Sequence, residues 1–499
     1  MFVSTFTSPL LLFCIAIALC DARLNRMLSQ KHGKLGEPFG HDSVLYSLPP
    51  DLWFEQKLDH FNVEDTRTWK QRYFVNSTWF KHGGPVFLMI GGEGEASPKW
   101  MVQGAWLDYA QHHNALAVQV EHRFYGKSRP LPDLSLSSLQ YLSSEQALAD
   151  LAHFITSMSA SYQLPPHTNW IAFGGSYPGS LAAWLRYKYP HLVHGAMSAS
   201  GPLRAVLDFP EYFKVATEAL ATVSPKCVKA VAEATSAISK MLMSTDDAKY
   251  LTEQFRLCKP LNISNTKDVA SFVESLADNF AGVVQYNKDN RAGSKNVTID
   301  TLCQIMMDET QKPVARYAAV NAFILKGTSE PCVDYAYDKM ISDMRNESWD
   351  SSMSTGGRQW TYQTCAEFGF YQTSNQSCHI FGSEFPLDYF TDMCRDIYGP
   401  KFSRQLLDSN IDQTNTNYGA LDLEVSRVVF VHGSIDPWHA LGIYQTRSNQ
   451  APAIYINGTA HCANMYPPSP NDLPDLVKAR HRINHLIGKW LKADYHRDN

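Results

Sequence analysis

Three side chains of this 499-residue chain, Ser176, Asp436 and His461, have the types and the order that acyl transfer needs. A serine hydroxyl is a weak nucleophile until an imidazole takes its proton and a carboxylate orients that imidazole. Ser176 stands in Gly174-Gly175-Ser176-Tyr177-Pro178-Gly179, after the apolar run WIAF at 170–173 and before a helix-like run. A tight turn between a strand and a helix, with small residues around it, holds a serine hydroxyl proud of a sheet. The helix N-terminus behind such a serine favours developing negative charge. The match to G-x-S-x-G is incomplete, because Pro178 stands where the last glycine belongs. Taken alone, the segment also reads as an ordinary glycine-rich turn.

The two partners raise the weight of the catalytic reading. Asp436 follows the run VVFV at 428–431, and His461 follows AIYI at 453–456, each five residues past its run. Both loops are expected at the sheet edge that carries Ser176. The chain order serine, acid, histidine is one in which such triads occur on α/β folds. His432 and His439 flank the acid but do not lie beyond the next strand. His122 fits a packed loop, and Asp422 and Glu424 precede their strand and face the wrong edge. For the oxyanion, the backbone N–H of Tyr177 is the first expected donor, and one from the Gly92–Glu93 turn after PVFLMI the second. Trp438, two residues past the acid, reads either as a wall of the substrate pocket or as a core tryptophan.

Other chemistries find less support. GGEGE at 91–95 lacks the G-K-[S/T] of a phosphate loop, and GGSYPG lacks the G-x-G-x-x-G spacing of a dinucleotide site. No C-x-x-C pair suggests a metal or redox centre. No cofactor and no metal are expected. With 44 Lys and Arg against 49 Asp and Glu, the formal charge of −5 leaves no basic footprint for nucleic acid. Protonating all 18 histidines would carry that charge to +13, so the surface changes strongly between neutral and mildly acidic pH.

The elements that must position these side chains alternate. Short apolar runs at 85–90, 116–120, 170–173 and 192–197 each end in a glycine-rich or polar loop. Helix-like segments lie between them at 143–157 and 179–189. Buried strands alternating with helices predict parallel βαβ units. From about 205 to 420 the pattern is helical, and strands return at 425–431 and 453–456 before a terminal helix at 473–491. The expected organisation is a signal peptide at 1–20, an N-terminal arm or propeptide at 21–48, a first core part at 49–204, an insertion at 205–420 and a second core part at 421–499. Two independent domains explain less well why isolated strands return after 420, since a lone strand pair cannot bury itself.

The chain reads as exported. The apolar run LLLFCIAIAL at 10–19 is signal-like in length and too short to span a bilayer, although no Lys or Arg precedes it. No later run is long enough for a transmembrane anchor. Sequons occur at Asn76, Asn262, Asn296, Asn346, Asn375 and Asn457. Cys14 and Cys20 lie in or beside the signal. The remaining eight, Cys227, Cys258, Cys303, Cys332, Cys365, Cys378, Cys394 and Cys462, predict four disulfides of unreadable pairing.

Longer segments carry a resemblance. GGEGE at 91–95, EHRFYGKSRP at 121–130, LQYLSSEQALADL at 139–151, WIAFGGSYPGSLAAWLRYKYPHL at 170–192, TCAEFGFYQT at 364–373 and DPWH at 436–439 resemble the serine peptidases related to lysosomal prolyl carboxypeptidase and dipeptidyl peptidase II. Within that family the segments resemble the thymus-specific serine protease branch. The resemblance covers roughly residues 50–490. It implies an α/β-hydrolase core with a large, mostly helical cap inserted between core strands, a Ser176–Asp436–His461 triad, and a vesicular, lysosomal or secreted location. It also implies peptide substrates, exopeptidase cleavage often after proline, and a place for Trp438 in a proline-accommodating pocket. A homodimer is compatible with it. Asn464 departs from the family, which commonly carries Asp there. An esterase or lipase with the same triad, and a non-catalytic binding protein on the same fold, are the alternatives.

Overall fold

The computed structural model describes residues 35–38, 47–288, 297–375 and 379–493. The signal peptide with Cys14 and Cys20, most of the 21–48 arm, the Asn296 sequon and Cys378 lie outside the described residues.

Ten strands are described: β1 (Leu52–Lys57), β2 (Thr68–Asn76), β3 (Val86–Ile90), β4 (Leu116–Val120), β5 (Trp170–Gly175), β6 (Gly195–Ala199), β7 (Val206–Asp208), β8 (Gly369–Tyr371), β9 (Val428–Gly433) and β10 (Ala453–Ile456). Eight form one sheet in the order β1-β2-β4-β3-β5-β6-β9-β10. From β4 to β10 all neighbours are parallel. The runs between 85 and 200 pair in parallel as the βαβ rhythm predicts, whereas β2, outside that region, runs antiparallel to both β1 and β4, so the sheet is mixed at one edge. An antiparallel edge can face water on one side. The alternating burial of LWFEQK and TWKQRYFVN shows that half-exposure.

The central strands are buried on both faces, which is why they read as largely apolar runs with few polar residues. Alternate residues serve opposite layers. Val86, Leu88 and Ile90 of β3 join the cluster that contains Leu148, Leu151 and Phe154 of the helix Ser144–Ser161. Phe87 and Met89 join the cluster on the other face, with Trp106 of the helix Ala105–His113 and Ile483 and Ile487 of the helix Pro474–Ala493. This sheet, flanked by helices on both faces and carrying Ser176 just after its central strand β5, is an α/β-hydrolase core.

β6 and β9 are hydrogen-bonded neighbours, Ala196 opposite Val428, although more than two hundred residues separate them in the chain. That intervening stretch is mostly helical and includes the helices Glu211–Val223, Pro225–Met241, Thr266–Gln285 and Leu387–Tyr398. It also contains a two-stranded parallel sheet, β7–β8, which the helical reading of 205–420 lacks. Its apolar residues continue the first cluster without a break.

Three disulfides, Cys227–Cys303, Cys258–Cys332 and Cys365–Cys394, staple this stretch. The expectation of four is corrected, because Cys462 is a free, buried thiol in the loop after β10. It fills space beneath the sheet edge as a small apolar side chain does. Asn262, Asn346, Asn375 and Asn457 are exposed, whereas Asn76 gives its amide to the Met101 carbonyl at 2.7 Å. No helix among the described residues is long and apolar enough to cross a membrane.

Candidate active site

The turn after β5 is tight. Ser176 has φ 68° and ψ −134°, a conformation that side-chain-bearing residues seldom adopt. Its N–H donates to the Ala199 carbonyl at 2.9 Å, tying the turn to the end of β6. Helix Tyr177–Lys188 starts at once, with the Ser176 carbonyl accepting from Gly179 at 2.8 Å. A Cβ on Gly174 would overlap the Pro178 carbonyl, so the strand can meet the helix this closely only with glycine there. Pro178 in the place of the motif's last glycine is accommodated because it sits in the first helical turn, where no N–H is needed.

Asp436 and His461 meet. His461 Nδ1 donates to Asp436 Oδ1 at 2.8 Å, and both side chains are fully buried. Asp436 Oδ1 also accepts from the Trp438 N–H at 3.0 Å, capping the short helix Pro437–Leu441 and fixing the carboxylate. Burial works against the charge on Asp436, yet His461 outweighs it and holds the carboxyl below its ordinary range, with the Ser200 hydroxyl contributing. Burial likewise opposes a charged His461, and the Asp436 carboxylate, helped by Cys462, raises the imidazole well above its ordinary value.

Ser176 lies on the same edge. β5, β9 and β10 are parallel within one sheet, so the loops that carry Ser176, Asp436 and His461 leave it in the same direction. Cys462, next to the histidine, donates its N–H to Ser200 Oγ at 2.9 Å. Its sulfur lies 3.0 Å from where a Cβ on Gly175 would stand, so the histidine loop rests against the residue before the serine. Ser176, Asp436 and His461 are all at most 2% exposed.

The Gly91–Glu93 turn leaves β3 beside this point. Gly92 packs on the Pro178 ring so closely that a Cβ there would overlap it. The turn borders a cleft of about 520 Å³, which Pro178, Tyr286, Glu95 and Trp100 also line. Tyr286 stacks edge-on to His461 with ring centroids 6.1 Å apart, so the cleft reaches the sheet edge that carries His461. Leu35, Gly36 and Glu37 of the N-terminal arm form part of its wall. Glu37 is held by the Ser97 hydroxyl at 2.8 Å and Lys99 at 2.6 Å.

Trp438 is 2% exposed, with its ring 6.5 Å from that of His461 and between 5.5 and 5.9 Å from those of Phe370, Phe209 and Tyr212. It is thus a core tryptophan in burial and a neighbour of the histidine in position. The sequence reading misses Gln285, the last residue of the helix Thr266–Gln285. Its Oε1 accepts from Trp438 Nε1 at 2.9 Å and from the Tyr212 hydroxyl at 2.7 Å, while its carbonyl accepts the His461 N–H at 2.9 Å. Gln285→Leu removes one acceptor from two buried donors and is expected to destabilise the protein by about 2 kcal/mol. A urea midpoint equal to that of the wild type contradicts this role.

The rivals occupy other places. His432 is buried in β9 with neither ring nitrogen partnered, and burial pushes it down to about 4. His439 gives Nδ1–H to the Asp436 carbonyl, not to its carboxylate. Asp422 and Glu424 are exposed and precede β9. Asn464 is buried, its amide on Met197 Sδ at 3.5 Å and its carbonyl accepting from Arg480 at 3.3 Å.

The family described as serine carboxypeptidase S28 matches residues 56–483. A Caenorhabditis elegans chain is 35% identical over 514 residues, spanning 99% of this chain and all of its own length. The thymus-specific serine protease of Mus musculus is 34% identical over 475 residues, covering 93% of this chain and 92% of that protein. The lysosomal Pro-X carboxypeptidase of Mus musculus is 29% identical over 459 residues, covering 89% of each.

Proposed function

We propose, because this chain belongs to the serine carboxypeptidase S28 family, that it hydrolyses peptides by acyl transfer at Ser176, with His461 as base and Asp436 as the group that orients it. The observation that carries this reading is the buried 2.8 Å contact between His461 Nδ1 and Asp436 Oδ1, on the sheet edge where the Ser176 turn emerges. With Nδ1–H spent on the carboxylate, the neutral ring keeps its lone pair on Nε2. Nε2 takes the Ser176 proton as Oγ attacks the peptide carbonyl. The negative charge that forms on the carbonyl oxygen is met by the Tyr177 N–H at the helix start and by an N–H of the Gly92–Glu93 turn. His461 then gives its proton to the leaving amine. A water, deprotonated in turn by His461, releases the acyl group, so the two half-reactions use the same residues.

The substrate class follows from the relatives and from the aromatic surroundings. One relative is named for Pro-X cleavage. A post-proline preference suits this chain as well, since Trp438, packed among Phe209, Tyr212 and Phe370, brings an apolar aromatic cluster to within 6.5 Å of the His461 ring. Exopeptidase action fits a helical cap, formed by the stretch between β6 and β9, that restricts entry to short chains or chain ends. The working location is the secretory pathway, lysosomal or secreted, with glycans on the exposed sequons. The test is digestion of a mixed peptide library at pH 5 and pH 7.5, with products read by mass spectrometry and Ser176→Ala run beside the wild type. Serine-dependent loss of terminal residues or dipeptides after proline supports the full reading. Serine-dependent cuts inside folded proteins overturn the exopeptidase assignment, and turnover of lipid esters in place of peptides overturns the peptidase assignment.

A further inference from the structure

The side chain of Tyr177 does more than fill space behind the nucleophile. Its ring is buried against Trp360 and Phe368, with centroids 5.4 and 5.5 Å away, and its hydroxyl is engaged twice. Gln363 Nε2 donates to it at 3.1 Å, and His122 Nε2 lies 3.1 Å away. The direction of the second bond follows from chemistry. His122 Nδ1 is 2.7 Å from the Arg123 carbonyl oxygen, which can only accept, so Nδ1 carries the proton. Burial pushes His122 down to about 4, so the ring is neutral and its Nε2 is an acceptor. The Tyr177 hydroxyl therefore donates to His122 and accepts from Gln363.

Gln363 cannot turn its amide without losing the other contacts. Its Oε1 accepts from the Tyr125 hydroxyl at 2.6 Å, and its second N–H reaches Glu367 Oε2 at 3.3 Å. Glu367 is anchored in turn by the Ser144 N–H at 2.9 Å and the Ser144 hydroxyl at 2.6 Å, at the start of the helix Ser144–Ser161. Trp360, Gln363, Glu367 and Phe368 all come from the short helix Gly357–Gln363 and the turn that follows it. One segment of the stretch between β6 and β9 thus grips Tyr177 by its ring and by its hydroxyl.

We propose that Gln363 is a positioning residue for the oxyanion hole, acting through the Tyr177 hydroxyl. The inference rests on the assignment of Ser176 as nucleophile and of the Tyr177 N–H as an oxyanion donor. The peptide between residues 176 and 177 carries that N–H, and it is held in a backbone conformation that Ser176 does not favour on its own. A donor must meet the oxyanion at about 2.7–3.1 Å to stabilise it. Pinning the far end of Tyr177 keeps this peptide plane from relaxing, so the loss of the pin appears in the transition state and not in substrate binding.

Tyr177→Phe, Gln363→Met and the double variant test this, with kcat and KM measured on a peptide that the wild type cleaves. Each single variant is expected to lose about 10- to 100-fold in kcat, part of what a whole oxyanion donor is worth, with KM within about twofold. The double variant is expected to be no worse than either single one, because both substitutions remove the same pin. Unchanged kcat, a loss carried by KM, or losses that multiply would overturn the inference. If Gln363→Met fails to fold by circular dichroism, the isosteric Tyr177→Phe decides alone through its kcat and KM. Ser176→Ala is measured alongside. Full turnover in that variant sinks the nucleophile assignment itself, whereas a dead Ser176→Ala with undiminished Tyr177→Phe and Gln363→Met sinks only the role of Gln363.

Discussion

Ser176→Ala is expected to lose about 10⁶-fold in kcat while keeping the wild-type fold. The nucleophile is the one group that no neighbour can replace. His461 without Ser176 has only water to activate, and that water would have to occupy a site shaped for an acyl carbon. On the proposed assignment a residue of catalysis over solution remains, because the Tyr177 N–H and the Gly92–Glu93 turn would still stabilise charge on a bound carbonyl; in comparable triads it amounts to about 10³–10⁴. Stability changes little, since the turn is held by the Ser176 N–H on Ala199 and by the Ser176 carbonyl, which alanine retains. Matching melting curves beside the lost turnover confirm the expectation. Turnover within tenfold of the wild type refutes it.

Asp436→Asn is expected to lower kcat/KM about 10⁴-fold. Asparagine fills the same volume, but its amide can present N–H to the imidazole and turn His461 to the wrong tautomer. The pH profile then carries a second signature. In the wild type the Asp436 carboxylate outweighs burial and holds His461 above the ordinary histidine range. The base works when neutral, so kcat/KM rises as pH climbs through that raised value and falls on acidification. Without the carboxylate, burial is left to lower the pKa, and the ascending limb of the residual activity moves toward acid. A limb that stays in place shows that another group titrates there.

The chain is a serine-type peptidase of the S28 family, and the part of it legible from sequence is the part in which local pattern and tertiary place coincide. The runs at 116–120 and 453–456 become β4 and β10 with the same bounds; β4 is buried along its whole length and so reads as a mostly apolar run, while the edge strand β10 exposes only Tyr455. Ser176, Asp436 and His461 were legible because each sits in a loop just beyond such a run. The antiparallel edge formed by β1 and β2 was not, since half-exposed strands alternate polar and apolar residues and carry a weaker signal than their covered neighbours. Gln285 and Gln363 were invisible for a different reason. A glutamine in a helical segment reads as a solvated side chain, and only the packing around Trp438 and Tyr177 reveals that both are buried acceptors or donors at the site. The sequence counts Cys462 toward a disulfide, since nothing local tells a thiol packed under Gly175 from one awaiting a partner.

The central claim, that Ser176 is the nucleophile of this site, is tested most directly by the mass of the folded protein after reaction with an alkyl fluorophosphonate, followed by mapping of the modified peptide. A single adduct on Ser176, absent from Ser176→Ala and slowed in Asp436→Asn, is the predicted result. An adduct on a different serine, or none on protein shown to be folded, contradicts the claim.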